Sequence, residues 1–404
     1  MGSSWLHAQF VYENRTYSPI IKTVILEQSS QILSEPVIYL NSQKKLRLSF
    51  DELSEETHRY EYTIIHCEAD WTESKLEKDM YIEGFDVQKI EGFANSFNTI
   101  QRYVHYSQTI PSNDMKITKS GNYILKVCQE GNPDNVILTR RFYCIDDKAE
   151  IAIEVKPSSD AFIMKTHQEV NVKVKGKNSY FFQNPNEDLK VICTQNSRED
   201  LKRQLDLRGM MGTYLDYSFS DKNQFEGGNE FRYFDFTSLK FRTQHIARFD
   251  YINSENQVYL LPEKDKHNLV YATDKDFNGN FFVRNEYQQD NETYSDYAWV
   301  HFTLNKDLNL VNTYYIVGGL NDWRVSEQNK MVFSDGAYRL SLYLKQGVYS
   351  YQILSDDGSG ILSPAKIEGN HSETNNVYKV WVYYHNFSDD YDELVGFATV
   401  EYRK

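Results

Sequence analysis

Strict alternation of apolar and polar residues is the feature that most constrains the fold of this chain. Residues 170–175 read Val-Asn-Val-Lys-Val-Lys, and the same period recurs over 298–304 and 338–345. A two-residue period places one face of a strand in a core and the other towards solvent. Because no long helical pattern separates such segments, the sequence predicts an all-β fold made of β-sandwiches.

Composition breaks divide the 404 residues into three sandwich-sized units. The acidic pair Asp146-Asp147 and the polar run 288–293 mark the two breaks. We therefore predict immunoglobulin-like β-sandwiches in tandem, forming a rigid rod or wedge. The predicted ranges are 1–16 as an N-terminal tail or leader, 17–147 as the first sandwich, 148–295 as the second and 296–404 as the third. For the first residues, up to about Tyr17, a pairing strand and a loose tail are the two alternatives.

One short helix is predicted in the first unit. Ser74 and Glu77 have the spacing of a capping box, and Leu76, Met80 and Tyr81 follow at near-helical spacing. This pattern places a helix in the connection that follows the predicted strand 60–66.

Charge excludes some classes of partner. The formal net charge is −14, and no long Lys/Arg cluster offsets it. A nucleic-acid-binding protein needs a basic surface to displace phosphate counterions, and an anionic membrane surface makes a similar demand. No stretch approaches the ~18 consecutive apolar residues of a spanning helix. We therefore predict neither nucleic-acid binding nor direct membrane insertion.

The four cysteines, Cys67, Cys128, Cys144 and Cys193, fit no zinc-binding spacing. Cys67 and Cys128 lie in strand-like segments, and a bridge between two sheets of a sandwich is one interpretation. Four buried free thiols are the interpretation that we prefer.

Two local patterns suggest chemistry and also have structural explanations. His66 and Cys67 would form a nucleophile–base pair, but neighbours in a strand point to opposite faces. The run Asp274-Lys-Asp-Phe-Asn-Gly279 imitates half of a calcium loop, yet its twelfth position is Asn285 rather than Glu. We predict a hairpin turn there, with Asn278 and Gly279 at positive φ. The sequence thus predicts no catalytic residue, metal site or cofactor.

Several phrases recur together in an order and spacing that resemble one family. They are Tyr60-Glu-Tyr-Thr-Ile-Ile-His-Cys-Glu-Ala-Asp-Trp71, Thr118-Lys-Ser-Gly-Asn-Tyr123, Leu138-Thr-Arg-Arg-Phe142, Thr166-His-Gln-Glu-Val170, Gln224-Phe-Glu-Gly-Gly-Asn-Glu-Phe-Arg-Tyr-Phe-Asp-Phe236, Asp274–Gly279 and Trp299-Val-His-Phe-Thr-Leu304. Over roughly Pro19 to Tyr351 the chain resembles the plug protein of the type IX secretion system.

The resemblance implies a non-enzymatic accessory of protein secretion in Bacteroidota-type bacteria. It implies a periplasmic location, at the inner face of the outer membrane, reached through a protein partner. That partner would be the giant outer-membrane β-barrel translocon, whose periplasmic opening the plug would occlude when the barrel is idle.

The third unit also resembles early-set, glycogen-binding immunoglobulin-like modules. Trp323 and the pair Asn375-Asn376 match positions that bind sugar in that family, whereas Gln352 stands where Lys is usual. A periplasmic glycan-binding protein is therefore the alternative function. Phe231 and Tyr233 join these three residues as candidate partner or glycan contacts, since aromatic side chains suit interfaces. Packing between units of the same chain is the other explanation of the aromatic surplus near Phe231 and at 381–384.

Overall fold

A computed structural model describes residues 10–178, 180–287, 290–305 and 312–403 of the chain. The described residues form three β-sandwiches, each around its own hydrophobic core. The predicted all-β class is confirmed. The strongest alternating segments all lie in strands, because a two-residue period can bury only one face of an extended chain.

The first sandwich comprises residues 15–145. One sheet has the order β1-β12-β11-β5-β7 with β3 beside β12, the other has the order β2-β4-β9-β8, and β10 pairs with β6. The strands are β1 Arg15–Thr16, β2 Ile21–Gln28, β3 Val37–Tyr39, β4 Leu46–Glu52, β5 Tyr60–Cys67, β6 Ile82–Gly84, β7 Val87–Lys89, β8 Gly92–Asn95, β9 Val104–Ile110, β10 Met115–Ile117, β11 Gly121–Gln129 and β12 Asn132–Ile145.

The second sandwich combines residues 149–226 with a hairpin from the C-terminal end of the chain. Its sheets have the orders β13-β14-β18-β17, with β19 beside β14, and β16-β15-β30-β31. The strands are β13 Ala149–Pro157, β14 His167–Gly176, β15 Leu189–Gln195, β16 Arg198–Leu205, β17 Gly209–Met211, β18 Tyr214–Tyr217, β19 Gln224–Glu226, β30 Asn376–Asn386 and β31 Tyr391–Tyr402.

The third sandwich spans residues 232–356. One sheet has the order β20-β29-β24 with β26 also beside β29, and the other has the order β21-β22-β25-β28-β27 with β23 beside β25. The strands are β20 Arg232–Asp235, β21 Ile246–Ile252, β22 Glu255–Leu260, β23 Glu263–Lys264, β24 Phe281–Val283, β25 Tyr297–Asn305, β26 Thr313–Val317, β27 Val332–Ser334, β28 Ala337–Lys345 and β29 Gly347–Asp356.

The sheets cross the predicted boundary at 295/296. The third sandwich begins at β20, inside the predicted second unit, and its chain returns at β30 to complete the second sandwich. β30 pairs with β15 from Leu189↔Tyr384 to Gln195↔Tyr378. The third sandwich is therefore inserted into the second, and the expected tandem order of three consecutive units is wrong there. A break in composition shows where a polar loop lies, but it does not show which distant strands pair.

The chain crosses into and out of the insertion at one place. The side-chain amide of Asn376 donates to the Gly227 carbonyl oxygen at 2.8 Å, and the His371 N–H donates to the Gly228 carbonyl oxygen at 2.8 Å. A Cβ on Gly227 would lie 2.0 Å from the carbonyl oxygen of His371. Glycine at 227 thus lets the outgoing and returning segments touch.

Of the two alternatives predicted for the N-terminal residues, the structure shows the pairing strand at residues 15–16, and the range 1–16 given to a tail or leader is corrected there. Residues 1–9 lie outside the described residues, but Arg15 and Thr16 of the predicted tail pair with Thr139 and Leu138. Residues 15–16 therefore belong to the first sandwich as an edge strand.

The α-helices among the described residues are each four residues long: α1 Lys78–Tyr81, α2 Pro185–Asp188, α3 Asn291–Tyr294 and α4 Ala365–Glu368. Three 3₁₀ helices of three residues each lie at Asp221–Asn223, Gly319–Asn321 and Glu327–Asn329. The predicted helix in the first unit exists as α1, but the predicted capping box does not form. The N-cap is Glu77, without a side-chain hydrogen bond, and the Ser74 hydroxyl instead bonds the His66 ring at 2.9 Å. The Ser74 hydroxyl thus bonds the buried His66 ring instead of capping the N-terminus of α1.

All four cysteines are free and buried, which confirms the preferred interpretation. Cys67 and Cys128 lie on β5 and β11, neighbouring strands of one sheet, and face Asn122 and Glu61 respectively. They stand at opposite ends of that strand pair. The alternative of a bridge between two sheets is therefore wrong.

Candidate functional site

The pair His66 and Cys67 lies in the wall of the first sandwich, away from solvent. The His66 ring contacts the Ser74 hydroxyl at 2.9 Å and the Ser120 carbonyl oxygen at 3.0 Å. Burial lowers the pKa of His66 to about 4 and raises the pKa of the Cys67 thiol to about 12. A buried neutral thiol beside a histidine whose nitrogens are engaged is a packing arrangement and lacks the features of a nucleophile–base pair.

The segment 274–279 forms the predicted turn. Asn278 and Gly279 have φ of 50° and 78°, as predicted, and the Asn280 N–H donates to the Phe277 carbonyl oxygen at 3.0 Å. The turn leads into β24, but residues 265–277 before it form no strand, so the predicted hairpin is wrong. In the described part of the chain, no cluster of three or more His, Cys, Asp or Glu side chains could hold a metal ion.

This turn packs against the glycine-rich phrase at 224–236. One carboxylate oxygen of Asp276 accepts the Phe231 N–H, and the other accepts the Asn278 N–H at 2.7 Å. Burial raises the pKa of Asp276 to about 7, and the neighbouring Glu230 is itself buried. Two of the phrases that carry the family resemblance therefore meet in space, joined by two neighbouring acids, Glu230, which is buried, and Asp276, which is half-buried.

The candidate contacts Trp323 and Phe231 pack against each other, and Trp323 is half-buried. Their rings meet edge-on at 5.7 Å between centroids, and the Arg198 guanidinium lies 5.0 Å from the centre of the Trp323 ring. Phe231 is buried. Since Arg198 belongs to the second sandwich, Trp323 is a contact between sandwiches rather than a free stacking surface.

The other three candidate contacts do not extend such a surface. Asn376 is buried, donates to the side chain of Gln168 and accepts from the side chain of Asn196. Asn375 and Tyr233 are half-buried, and the Tyr233 hydroxyl bonds within the third sandwich. Glycan binding gains no support from this geometry and stays a prediction.

Buried charges hold the first sandwich to the third. Lys345 of the third sandwich forms an ion pair with Asp51 of the first, and each is at most 1% exposed. Asp51 also accepts the Tyr297 hydroxyl at 2.7 Å and contacts His105 at 2.7 Å. Burial lowers the pKa of Lys345. Because an ammonium loses its hydration there, Asp51 is the group that keeps it charged.

The first and second sandwiches share an apolar cluster. Tyr143 stacks on Trp381 with ring centroids 3.8 Å apart, and the Tyr383 hydroxyl contacts the Asn122 side-chain oxygen at 2.8 Å. The cluster draws buried residues from both sandwiches: Val37, Ile65, Cys67, Ala69, Trp71, Ile124, Tyr143, Ile145, Trp381, Tyr383 and Leu394. The aromatic surplus at 381–384 is thus used for packing within the chain.

A cavity of about 780 Å³ lies where the three sandwiches meet. Its wall includes Arg47 and Arg141 of the first sandwich, Glu199 of the second and Glu292 of the third. These charges pair across the junctions, Arg47 with Glu292 and Arg141 with Glu199. The three sandwiches therefore surround one space, and the expected arrangement in series does not occur.

The first sandwich carries the sequence match that identifies the family. Residues 21–146 match the family model described as the Type 9 secretion system plug protein 1st domain. The chain belongs to the type IX secretion system plug protein family. The matched range covers β2 to β12, so the plug domain corresponds to nearly the whole first sandwich.

A solved structure resembles this plug-family chain over its whole length. It is the crystal structure of a hypothetical protein from Parabacteroides merdae ATCC 43184, with 32% sequence identity and a TM-score of 0.93. The match covers 98% of this chain and 100% of that chain. The likeness to that protein therefore extends beyond the plug domain and includes the insertion of the third sandwich into the second. A search of curated proteins found no match.

Membership of the plug family points to a non-catalytic, structural role associated with type IX secretion. The family implies association with a type IX secretion barrel and is consistent with a periplasmic or outer-membrane-associated location. Within the ranges that the structure describes, the helices are too short and too polar to span a bilayer.

Sequence reasoning missed the residues that hold this plug-family molecule together. Asp51 and Lys345 are separated by 294 positions, and each reads as an ordinary surface charge in its own segment. Lys345 ends the alternating strand β28 on its polar face, in phase with Arg339 and Ser341, so the two-residue period assigns it to solvent. It is buried because that face packs on the first sandwich, and the pattern carries no signal of that contact.

Proposed function

We propose that this protein is a non-enzymatic periplasmic accessory of type IX secretion that occludes the periplasmic opening of the large outer-membrane barrel when that barrel is idle. The observation that carries the proposal is the match of residues 21–146 to the plug protein domain. A barrel that exports folded proteins must be wide, and a wide pore leaks unless something closes it.

The geometry is compatible with an occluding body. A plug must resist deformation, and the junctions described above join each sandwich to the other two. The Lys345–Asp51 pair, the Tyr143–Trp381 stack and the contact of Arg198 with the Trp323 ring each lie at one junction. Packed junctions of this kind leave little freedom for hinge motion between domains.

A reversible plug also has to leave its partner. An interface with a small apolar centre and a polar rim dissociates more readily than a large apolar one, and the acidic, Tyr-rich composition of the chain can supply such a rim. This consideration supports a transient complex with the barrel over an obligate one.

The test is a gene deletion in two backgrounds. In cells that carry the barrel, loss of this protein should raise outer-membrane permeability to a large antibiotic, and the intact gene supplied in trans should restore the barrier. In cells without the barrel, the deletion should have no effect. Equal permeability increases in both backgrounds would refute the plug role.

A further inference from the structure

Exposed apolar side chains line one side of the first sandwich. Phe85, Val87, Phe93, Phe97 and Ile100 are 70, 45, 57, 60 and 48% exposed. We call residues 85–100 the edge strip. Contiguous exposed apolar surface commonly marks a contact with another molecule.

The edge strip follows the open edges of both sheets of the first sandwich. β7 pairs with β5, and β8 pairs with β9; each is the last strand of its sheet among the described residues. The outer main-chain groups of both strands therefore face away from the sheets. Proteins usually protect such edges with Lys, Pro or inward-pointing charges, because an open edge can pair with another strand. β7 carries the exposed Lys89, whereas β8 has no charged residue and is the unprotected edge.

The C-terminal part of the strip is unusually neutral. Residues 92–100 read Gly-Phe-Ala-Asn-Ser-Phe-Asn-Thr-Ile, without a charge, in a chain that has 58 acidic and 44 basic residues. The cores of protein interfaces are depleted of charge and enriched in aromatic residues. A neutral edge of this composition suits a neutral, apolar strand and offers a charged partner no complementary group.

Residues 97–100, at the C-terminal end of the edge strip, are fixed by contacts with the third sandwich. The Phe97 N–H donates to the Thr293 carbonyl oxygen at 2.9 Å, and the Phe97 ring packs on Tyr294 at 5.1 Å. The Ile100 N–H donates to Asp296 at 2.7 Å. Since these partners belong to the third sandwich, the edge strip is already ordered before it meets a partner, which lowers the entropic cost of binding.

We propose that the edge strip is the docking surface of this protein, and that it receives an uncharged β-strand presented by the outer-membrane barrel on its periplasmic side. The strand adds to the β8 edge through main-chain hydrogen bonds, while Phe93 and Phe97 contact its apolar side chains. This inference rests on the proposed function, which supplies the barrel as the partner.

The test compares three full-length variants, purified with a tag from cells that contain the barrel. Phe93→Glu puts a charge on the apolar strip, and Ala94→Lys adds the charge that usually keeps an edge unpaired. Phe162→Glu is the matched control, because Phe162 is 97% exposed and lies in the second sandwich. All three positions are exposed, and a thermal melt should show unfolding close to wild type for each.

We expect each strip variant to retain at most about one tenth of the barrel that wild type retains. Phe162→Glu should retain as much barrel as wild type. Barrel retention unchanged by both strip variants would overturn the docking surface and leave the proposed function standing. Equal loss with Phe162→Glu would also overturn it. If the wild-type chain retains no barrel, the proposed function and this inference both fail. If light scattering shows a wild-type dimer that the strip variants dissociate without losing barrel, the strip receives a second copy instead.

Discussion

At the scale of single residues, the buried ionisable groups of this protein serve its structure. His66 is fully buried in the core of the first sandwich, and Lys345 and Asp51 are buried between the first and third sandwiches. Each group has lost water and depends on one or two protein partners. Changing the charge of these groups should therefore change the free energy of unfolding.

His66 should make stability fall in mild acid. Its folded-state pKa is about 4, below the ordinary 6.5, because burial disfavours the charged ring. The unfolded chain takes up a proton below about 6.5 and the folded protein only near 4, so stability is lost as pH falls through this window. The loss is on the order of 3 kcal/mol. Denaturant unfolding at several pH values measures it, and His66→Gln should give a flatter curve between pH 6.5 and 4.

Lys345→Met should destabilise the protein by about 3 kcal/mol or more, because Asp51 would keep a buried charge without its ammonium partner. Chemical denaturation of wild type and variant measures the difference. Lys116→Met is the matched control, since Lys116 and Glu83 form an ion pair with both side chains more than half exposed. Such a pair contributes under ~1 kcal/mol. Equal effects of the two variants would contradict the role assigned to Lys345.

At the scale of elements, strands form where alternation is strong, and turns form where the sequence supplies residues that accept positive φ. Gly279 and Gly336 illustrate two uses of the same backbone conformation, because both have φ of 78°. Gly279 lies under the Trp323 ring, where a Cβ would be 2.3 Å from that ring, whereas Gly336 faces open space. The first glycine therefore serves packing as well as the turn.

Gly279→Ala should cost more stability than Gly336→Ala. Both variants place alanine in the left-handed region, which costs about 1–2 kcal/mol. Gly279→Ala must also displace Trp323, and overpacking of this kind adds about 1–3 kcal/mol. The free energies of unfolding of both variants test this. Equal costs would show that the Trp323 ring yields without penalty.

Strand identity could be predicted from the sequence, whereas strand pairing could not. The alternating segments at 170–174, 298–304 and 338–344 are strands in the structure. Main-chain hydrogen bonds are the same for every residue type, however, so the sequence of β15 does not indicate which strand pairs with it. Its neighbour β30 lies nearly two hundred residues away. For the same reason the sequence did not predict the contact between Glu230 and Asp276 or the ion pairs between sandwiches, whereas it did predict the positive φ at Asn278 and Gly279.

At the scale of the whole molecule, the inserted third sandwich decides which pieces of the chain can fold. The second sandwich is built from both sides of the insertion, and β15 lies between β16 and β30 in its sheet. Val191 and Cys193 on β15 and Val380 and Val382 on β30 belong to one core. A chain that lacks β30 therefore leaves this core open on one side.

A chain of residues 10–295, which ends at the boundary predicted from composition, should fail to form the second sandwich and should aggregate. The control removes residues 229–373 and joins Gly228 to Thr374 through a short Gly/Ser linker, since the Thr374 hydroxyl donates to the Gly228 carbonyl oxygen at 2.9 Å. This shortened chain keeps β30 and β31 and should unfold cooperatively. Denaturant unfolding and light scattering distinguish the two. A stable, monomeric 10–295 chain would contradict the assigned topology.

The insertion also sets an order of events on the ribosome. The strands up to β19 are made first, and roughly 150 residues must follow before β30 arrives, which takes on the order of 10 s at ~5–20 residues per second. The first sandwich is complete before this interval, and the third can close during it. The half-made second sandwich meanwhile holds β15 with an unpaired edge. The second sandwich, in the middle of the chain, is therefore the last to be completed during translation. A nascent chain at that stage has the greatest need of a chaperone.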